Sequence, residues 1–366
     1  MICGLSELSA GQQKPVVASV KGGMDWYDLQ KQQSPILQGV GWNNELKGTY
    51  GRLPFRAKDK VRSALWNLAG QCAGISVRFT TNAPEVKVIY QVSDSQSFPH
   101  MPATGVSGLD LYTTDDRGKP VWSAGRYTFG DTIKYTFKNL ASLSVGPKLR
   151  EYQLFLPLYN HVKWMEIGIA GGADLSWIKP STDMPIVVYG TSIAQGGCAS
   201  RPGMAWTGIL NRELPYPVIN LGFSGNGLLE KEILNLINEI EAKLYIFDCL
   251  PNLVAKTSTE IETATVEAVR QIRKVHQTPI LLVEHAGYTD SMVDKDKLES
   301  YTRANKASKA SFDRLKKEGI QNLFYLSCEE INMPMDGMVD GVHPTDYGMR
   351  VYADAYEKII RKILGN

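Results

Sequence analysis

The segment that decides the fold is VVYGTSIAQGG, residues 187–197, near the middle of the 366-residue chain. Its apolar start leads into Gly190, Thr191 and Ser192, and two further glycines close it. An apolar run that ends on a serine beside glycine is typical of a buried strand turning into a helix. Ser192 is then either a helix cap or a nucleophile at a strand end, and the surrounding sequence has to decide.

The residues from 183 onward alternate between apolar runs and amphipathic stretches. The predicted strands are 186–189, 217–221, 244–250, 280–284 and 323–326, and the predicted helices are 203–214, 228–241, 258–276, 294–318 and 345–363. Runs that are apolar on both faces and alternate with helices predict a five-stranded parallel sheet with helices on each side.

The first half has a different period. Ile75, Val77 and Phe79 alternate with polar residues, and similar strand patterns recur in 86–92, 109–114, 132–137, 152–158 and 164–170. Short strands without helical stretches between them predict an antiparallel β-sandwich, and the less regular residues 24–68 are expected to cover one of its ends or edges. A Pro- and Ser/Thr/Asp-rich linker at 180–185 separates the halves. The predicted units are therefore an N-terminal segment at 1–23, the sandwich at 24–182 and a second domain at 183–366.

Composition excludes several classes of protein. A net charge of +2 leaves no basic stripe for a nucleic acid, and no apolar run reaches the about 18 residues of a membrane span. The five cysteines contain no C-x-x-C pair, so the sequence offers no zinc or redox spacing and no ligand cluster for a cofactor. Reduced packing cysteines are the favoured interpretation, and a bridge between Cys198 and Cys249 stays open.

The N-terminal residues bear on location. Residues 5–15, LSELSAGQQKP, resemble the tail of a secretory signal whose front is absent, which favours a periplasmic or extracellular protein. A frayed terminus of a cytoplasmic protein is the alternative.

Polar residues follow the predicted parallel strands at their carboxyl ends, where such sheets bind ligands. The residues concerned are Ser192, the glycine-rich run from Gly222, Asn252, the pair His285 and Tyr288, and the Asp340–His343 loop. Taken singly, each has an ordinary structural explanation as a cap, turn or surface residue. Together they form the set that acyl transfer needs: a nucleophile, a base, an acid to orient the base, and N–H donors.

In this order the residues resemble the blocks of the SGNH (GDSL-type) hydrolases. Gly190-Thr191-Ser192 matches the GDS turn with Thr in place of Asp, Gly222 and Asn252 match the second and third blocks, and Asp340-Gly-Val-His343 matches D-x-x-H. In the first half, Gly108-Leu-Asp-Leu-Tyr112 resembles the G-x-D-L-Y motif of the N-terminal domain in one bacterial branch of these esterases. Asp110 and Tyr112 are expected to serve packing or hydrogen bonding within the sandwich.

The resemblance implies a jelly-roll-like sandwich followed by a flavodoxin-like three-layer hydrolase domain. It implies that Ser192 is the nucleophile, His343 the general base and Asp340 its partner. The oxyanion would be bound by the N–H groups of Ser192 and Gly222 and by the Asn252 amide. No metal or other cofactor is implied.

Three further residues are candidate substrate contacts. His285 and Tyr288 lie at a neighbouring strand end, and His100 lies ahead of the motif strand, where the sandwich could reach the rim of the cleft.

The implied activity is that of a serine carboxylester hydrolase. The leading hypothesis is an O-acetylesterase acting on carbohydrate, with a small ester or a glycan ester as its binding partner. A short-chain acyl esterase, lysophospholipase or thioesterase is the alternative within the enzymes. A glycan-binding protein with an inactive hydrolase half is the alternative of another class.

Overall fold

The computed structural model describes residues 12–115, 117–138 and 149–365. In chain order the strands of the first half are β1 (Gln12–Gln13), β2 (Ser19–Lys21), β3 (Met24–Asp28), β4 (Leu37–Gln38), β5 (Ser76–Thr81), β6 (Glu85–Val92), β7 (Asp110–Thr114), β8 (Pro120–Ser123), β9 (Arg126–Thr128), β10 (Ile133–Lys138), β11 (Arg150–Phe155), β12 (Val162–Ala170) and β13 (Leu175–Ile178). Two helices accompany them, α1 (Ser63–Ala69) and α2 (Ala103–Val106).

These strands form two antiparallel sheets. One has the order β1-β13-β5-β11-β7-β8, with β4 also paired to β5, and the other has the order β2-β3-β12-β6-β10-β9. The alternation in β5 puts Val77 and Phe79 in the core, where Val86 and Val88 of β6 join them from the facing sheet. The predicted antiparallel sandwich is confirmed, although α2 interrupts the stretch between β6 and β7, where no helix was expected.

The second half contains one parallel sheet and its helices. The strands are β14 (Ile186–Gly190), β15 (Val218–Gly222), β16 (Leu244–Asp248), β17 (Ile280–Val283) and β18 (Leu323–Leu326). The helices are α3 (Ser192–Gln195), α4 (Trp206–Glu213), α5 (Lys231–Ile237), α6 (Ser258–Arg273), α7 (Lys295–Lys317), α8 (Cys328–Ile331) and α9 (Asp346–Leu364).

The parallel sheet has the strand order β15-β14-β16-β17-β18. Successive residues of β14 pack on opposite faces, so that Val187 and Tyr189 join one apolar cluster while Ile186 and Val188 join another. A strand buried on both faces in this way needs helices on each side. The predicted three-layer, five-stranded parallel arrangement is confirmed. The order places β14 between β15 and β16, at the point where the strand order reverses.

The two halves share one apolar core. The cluster that contains Phe79 and Val88 of the sandwich continues into Val187 and Leu221 of the parallel sheet. Cys198 and Cys249 are both free and buried, so the bridge that the sequence left open is not formed. Among the helices of the described residues, none has the length and apolar character to cross a membrane.

Candidate active site

Ser192 begins α3 directly after β14. A side chain at Gly190 would come within 2.7 Å of the Ala194 Cβ and 3.0 Å of the Asp248 carbonyl oxygen, so only glycine fits this strand-to-helix turn. The side chain of Thr191, where the resemblance would place Asp, caps the helix by accepting the Ile193 N–H at 3.3 Å. The cap is therefore residue 191, which leaves the Ser192 hydroxyl available for chemistry.

The Ser192 hydroxyl contacts His343. Its Oγ lies 2.8 Å from Nε2 of His343, and Nδ1 of the same ring lies 2.7 Å from Oδ2 of Asp340. Because the carboxylate accepts a hydrogen bond from Nδ1–H, Nε2 is left as the acceptor for the serine proton. The three predicted triad residues thus form one continuous hydrogen-bonded chain.

One tight loop presents Asp340 and His343. Asp340 Oδ1 accepts the backbone N–H of His343 at 2.8 Å and of Val342 at 3.2 Å, and Gly341 has a φ of 91°. Partial burial raises the pKa of Asp340, but the hydrogen bonds from the His343 backbone and ring outweigh it, so the net pKa is lowered. The carboxylate is therefore ionised at neutral pH and suited to stabilise an imidazolium.

The prediction for Gly222 as an oxyanion donor is wrong. Its N–H donates to Oδ1 of Asn220 at 2.8 Å, while the N–H of the next residue, Phe223, donates to Gly190 on β14. Successive N–H groups of a strand point in opposite directions, so the Gly222 N–H points to the outer edge of the sheet, away from β14. Glycine is required there for packing, because a Cβ would lie 2.3 Å from the Gln195 nitrogen.

The loop at 223–227 takes the place that was predicted for Gly222. Ser224 and Asn226 line the cleft beside Ser192, and the intervening Gly225 has a φ of 67°. Within the described residues, the N–H groups of Gly225 and Ser192 have no acceptor. The glycine-rich run after β15 was singled out in the sequence, but the spacing alone did not distinguish its first glycine from its second.

Asn252 braces this loop. Its Oδ1 accepts the Gly227 N–H at 3.0 Å, which leaves the amide Nδ2 as its donor. The predicted amide donor is thus available next to the loop that carries Gly225.

The cleft in front of Ser192 has a volume of about 520 Å³. Only five of its lining residues come from the second half: Ser192, Gly197, Ser224, Asn226 and His343. The others belong to α1 and to loops of the sandwich half: Ala64, Asn67, Leu68, Gln71, Phe98, His100, Met101 and Tyr159. Residues 24–68 contribute β3 and β4 to the two sheets, and α1 within them forms one wall of the cleft.

Of the three candidate substrate contacts, one lies at the cleft and two do not. His100 lines the cleft, where its ring stacks on Phe98 with centroids 6.0 Å apart and lies 6.2 Å from the ring of His343. His285 and Tyr288 do not line it.

His285 has a structural environment instead. It is 1% exposed, its Nδ1 accepts the Gly287 N–H at 2.9 Å, and burial lowers its pKa to about 4. Tyr288 packs against it, and the loop that follows supports the catalytic loop through Thr289 N–H, which donates to the Gly341 carbonyl at 3.1 Å. The prediction that these two side chains contact substrate is not supported.

The G-x-D-L-Y residues join the halves rather than serving the sandwich alone. Asp110 Oδ2 accepts hydrogen bonds from the Arg201 guanidinium at 2.8 Å and the Gly203 N–H at 2.7 Å. The Tyr112 hydroxyl accepts a second bond from Arg201. The expectation of contacts within the sandwich missed these, because a strand pattern does not reveal what lies beyond the sheet edge.

Several site residues have no signal in the sequence. The Tyr159 hydroxyl donates to the carbonyl of Ser192 at 3.1 Å. Gln195 donates to Oε1 of Gln71 at 2.5 Å and accepts the Ser224 N–H at 3.0 Å. Gln195 is one turn after Ser192, but its burial appears only in the folded chain. Among the described residues, no group of His, Cys, Asp and Glu side chains could hold a metal ion.

Comparison with protein families covers most of the chain. Residues 183–361 match the GDSL-like lipase/acylhydrolase family, and residues 24–175 match the N-terminal domain of SGNH-hydrolase-type esterases. Comparison with curated protein sequences gave no match.

Solved structures resemble the whole chain. A GDSL-like lipase from Bacteroides ovatus is 31% identical with a TM-score of 0.84, and the match covers 93% of this chain and 98% of that one. A salicylyl-acyltransferase from a tetracycline biosynthetic pathway is 18% identical with a TM-score of 0.67, covering 96% and 95%. A family two carbohydrate esterase from Cellvibrio japonicus is 13% identical with a TM-score of 0.58, covering 93% and 98%. The last two share the fold, whereas the first also shares substantial sequence. The chain therefore belongs to the GDSL-like lipase/acylhydrolase family and is a hydrolytic esterase with the N-terminal domain of the SGNH type.

Proposed function

We propose that the protein is a serine O-acetylesterase that removes acetyl groups from carbohydrates, with Ser192, His343 and Asp340 as its catalytic triad. The observation that carries the chemistry is the hydrogen-bonded chain from the Ser192 hydroxyl through His343 to Asp340, open to a cleft. Ser192 Oγ attacks the ester carbonyl while His343 Nε2 takes its proton. The same imidazolium then protonates the departing sugar hydroxyl, and a water molecule hydrolyses the acyl-enzyme by the reverse sequence of proton transfers.

The oxyanion is bound in this proposal by the N–H groups of Ser192 and Gly225 and by the amide of Asn252. Both N–H groups lack an acceptor within the described residues, and Asn252 already holds the loop through Gly227. Donors fixed before the reaction stabilise the tetrahedral intermediate without reorganisation, and each is worth about 10²–10³ in turnover.

Carbohydrate as the alcohol part of the ester is supported by the rim of the cleft. The exposed His100 ring stacked on Phe98 offers a flat face for a sugar, and Asn67 and Asn226 offer amide groups for its hydroxyls. We propose that His100 contacts this part of the substrate. Two of the structures with a similar fold are carbohydrate esterases.

A short-chain or larger acyl group is the second candidate. Ala64, Leu68 and Met101 give part of the cleft an apolar wall, which would accept more than a methyl group. An esterase for such acyl groups would use the same triad and differ only in the length of the acyl group that packs against this wall.

We further propose that residues 183–366 are the catalytic domain and residues 24–182 an accessory domain that shapes its cleft. The last strand of the sandwich ends at Ile178 and the first parallel strand begins at Ile186, which supports a boundary between them. Export to the periplasm or the outside of the cell fits a polymeric substrate. Residues 5–11 of the signal-like stretch lie outside the described residues, whereas Gln12 and Gln13 form β1 and pair with β13.

The test is release of acetate from a panel of acetylated glycans, beside p-nitrophenyl esters of rising chain length. The wild type should release acetate and prefer acetyl to longer acyl groups, and Ser192→Ala should abolish turnover while sugar binding remains. A preference for butyryl or longer esters would favour the second candidate. Absence of turnover on every ester, with sugar binding unchanged in Ser192→Ala, would show a glycan-binding protein instead.

A further inference from the structure

Arg52 of the sandwich half reaches across to the parallel sheet. Its Nη1 donates to the carbonyl oxygens of Gly222 at 2.6 Å and Asn220 at 3.3 Å. Its Nη2 donates to the carbonyl of Leu68 at 2.7 Å and its Nε to that of Gln71 at 2.8 Å. The residue is 1% exposed, and no carboxylate of the described residues pairs with it. Burying a cation with only neutral partners is costly, so the arrangement calls for a reason.

The open edge of the parallel sheet explains why residue 52 is an arginine. β15 is an edge strand, and the Phe223 N–H pairs inward with Gly190, so the carbonyls of Asn220 and Gly222 point outward without a strand partner. The planar guanidinium donates in several directions at once and also stacks on the Phe223 ring at 4.8 Å. A lysine ammonium lacks this fork and could not reach both elements together.

The carbonyls that Arg52 holds lead directly to the cleft. Gly222 immediately precedes the loop at 223–227, which contains Gly225 and lines the cleft beside Ser192. Leu68 and Gln71 line the opposite wall. A second link, from Gln71 through the Gln195 side chain to the Ser224 N–H, joins the same two sides.

We propose that Arg52 is a positioning residue for the reaction, which holds the end of β15 against the α1 wall so that the oxyanion donors face Ser192. The inference rests on the proposed function of those donors. Burial lowers the pKa of Arg52 to about 10, so the side chain stays charged at neutral pH. An unpaired cation behind the loop also adds a favourable potential for the developing oxyanion in a site of low dielectric constant.

Arg212 on α4 provides a matched control. It also donates to backbone carbonyls only, those of Gly203 at 2.6 Å and Gly208 at 2.9 Å, and it stacks on the Tyr112 ring at 4.0 Å. It too joins the two halves, but neither Gly203 nor Gly208 lines the catalytic cleft, whereas Leu68 and Gln71, which Arg52 holds, both do. Arg212→Lys therefore loses guanidinium hydrogen bonds to backbone carbonyls, as Arg52→Lys does, but away from the catalytic cleft.

The probe is an activated p-nitrophenyl alkylphosphonate. Ser192 Oγ attacks phosphorus, p-nitrophenolate leaves, and His343 takes the serine proton. The adduct carries the oxyanion-like oxygen that the donors bind, and its formation is followed by intact mass, with Ser192→Ala as the blank. Labelling of Ser192 in the wild type tests the proposed function by itself, because it does not depend on which ester is the substrate.

Arg52→Lys should slow labelling and reduce kcat by about 10–100-fold with KM changed less than threefold, since a donor moved out of place loses most of its effect. Arg212→Lys should change both rates less than threefold at a comparable loss of thermal stability. Equal rates in the two variants, or a loss confined to KM, would overturn the inference while leaving the proposed function intact. If Arg52→Lys does not fold, Phe223→Leu, which removes the ring under the guanidinium, should give the same slowing, and unchanged labelling would overturn the inference.

Discussion

The two walls of the catalytic cleft are built from different kinds of structure. On the parallel-sheet wall, the reactive groups of Ser192 and His343 sit at strand ends or in a tight loop, and hydrogen bonds orient each of them. On the sandwich wall, the lining comes from α1 and from loops around Phe98 and Tyr159, and much of it is apolar. The reactive groups thus come from the parallel-sheet half, and most of the cleft's shape comes from the sandwich half. Substitutions on the first wall should reduce turnover, and those on the second should change which substrate fits.

After the loss of turnover in Ser192→Ala, the largest effect is expected at Asp340. Asp340→Asn keeps Oδ1 for the backbone N–H groups but presents an amide N–H to Nδ1 of His343, which favours the wrong tautomer. We expect kcat to fall by about 10³–10⁴ with KM little changed. Steady-state kinetics on a p-nitrophenyl ester measures this, and a loss below tenfold would remove Asp340 from the triad.

The next largest effect is expected at Asn252. Asn252→Ala should reduce kcat by about 10²–10³ by removing an oxyanion donor. Asn252→Asp is the matched control, because it keeps an oxygen for the Gly227 N–H and removes only the amide donor. Both variants should lose activity together. Retained activity in Asn252→Asp would mean that Asn252 only holds the loop.

A smaller effect, of a different kind, is expected on the sandwich wall. His100→Ala should raise KM for an acetylated oligosaccharide by about 3–10-fold, as expected for loss of one stacked or hydrogen-bonded contact, with kcat nearly unchanged. His100→Phe keeps a ring that can stack on Phe98 and so separates stacking from hydrogen bonding. A fall in kcat equal to that of a triad variant would contradict the division between the walls.

The smallest effect on turnover is expected at Asp248, which ends β16 beneath the site. Burial raises the pKa of Asp248 from 3.8 to about 7, against a smaller opposing effect of the Tyr356 hydroxyl. Since the folded state holds the proton more tightly than the unfolded state, the free energy of unfolding should fall as pH rises from about 4 to 7 and then level off.

Asp248→Asn should flatten this pH dependence. At about 1.4 kcal/mol per pKa unit, the variant should gain about 1–4 kcal/mol relative to the wild type between pH 4 and pH 8. Urea unfolding at several pH values measures it, with Asp131→Asn at an exposed loop position as the control. A pH profile identical to that of the wild type would contradict a buried, protonated Asp248.

Much of the fold was predictable from the sequence because its apolar residues recur with a clear strand or helix period. The predicted strand 323–326 agrees with β18, and the predicted helix 294–318 differs from α7 by one residue at each end. The short strands β1, β2, β4 and β9 were not predicted, since pairs or triplets of residues carry no measurable period. The strands β3, β8 and β13, of four or five residues, were missed as well. Their formation depends on partners elsewhere in the sheets.

The candidate site also contains residues that the sequence predicted and residues that it did not. Ser192, Asp340 and His343 could be found because each follows an apolar run or sits in a short motif. The oxyanion donor was misassigned, because the direction of the Gly222 N–H depends on which side of β15 faces β14. His285 looked like a contact at a strand end, but its burial could be seen only in the folded chain.

By itself the sequence determined the two architectures, their order and the three residues of the proposed triad. These are local properties, since period, turn residues and motif spacing depend on near neighbours along the chain. Only the tertiary structure decided that α1, Phe98 and Tyr159 wall the cleft, and that Arg52 and Asp110 fasten one half to the other. These contacts join residues 93 and 170 positions apart; they arise from how sheets and loops pack, and no local pattern encodes them.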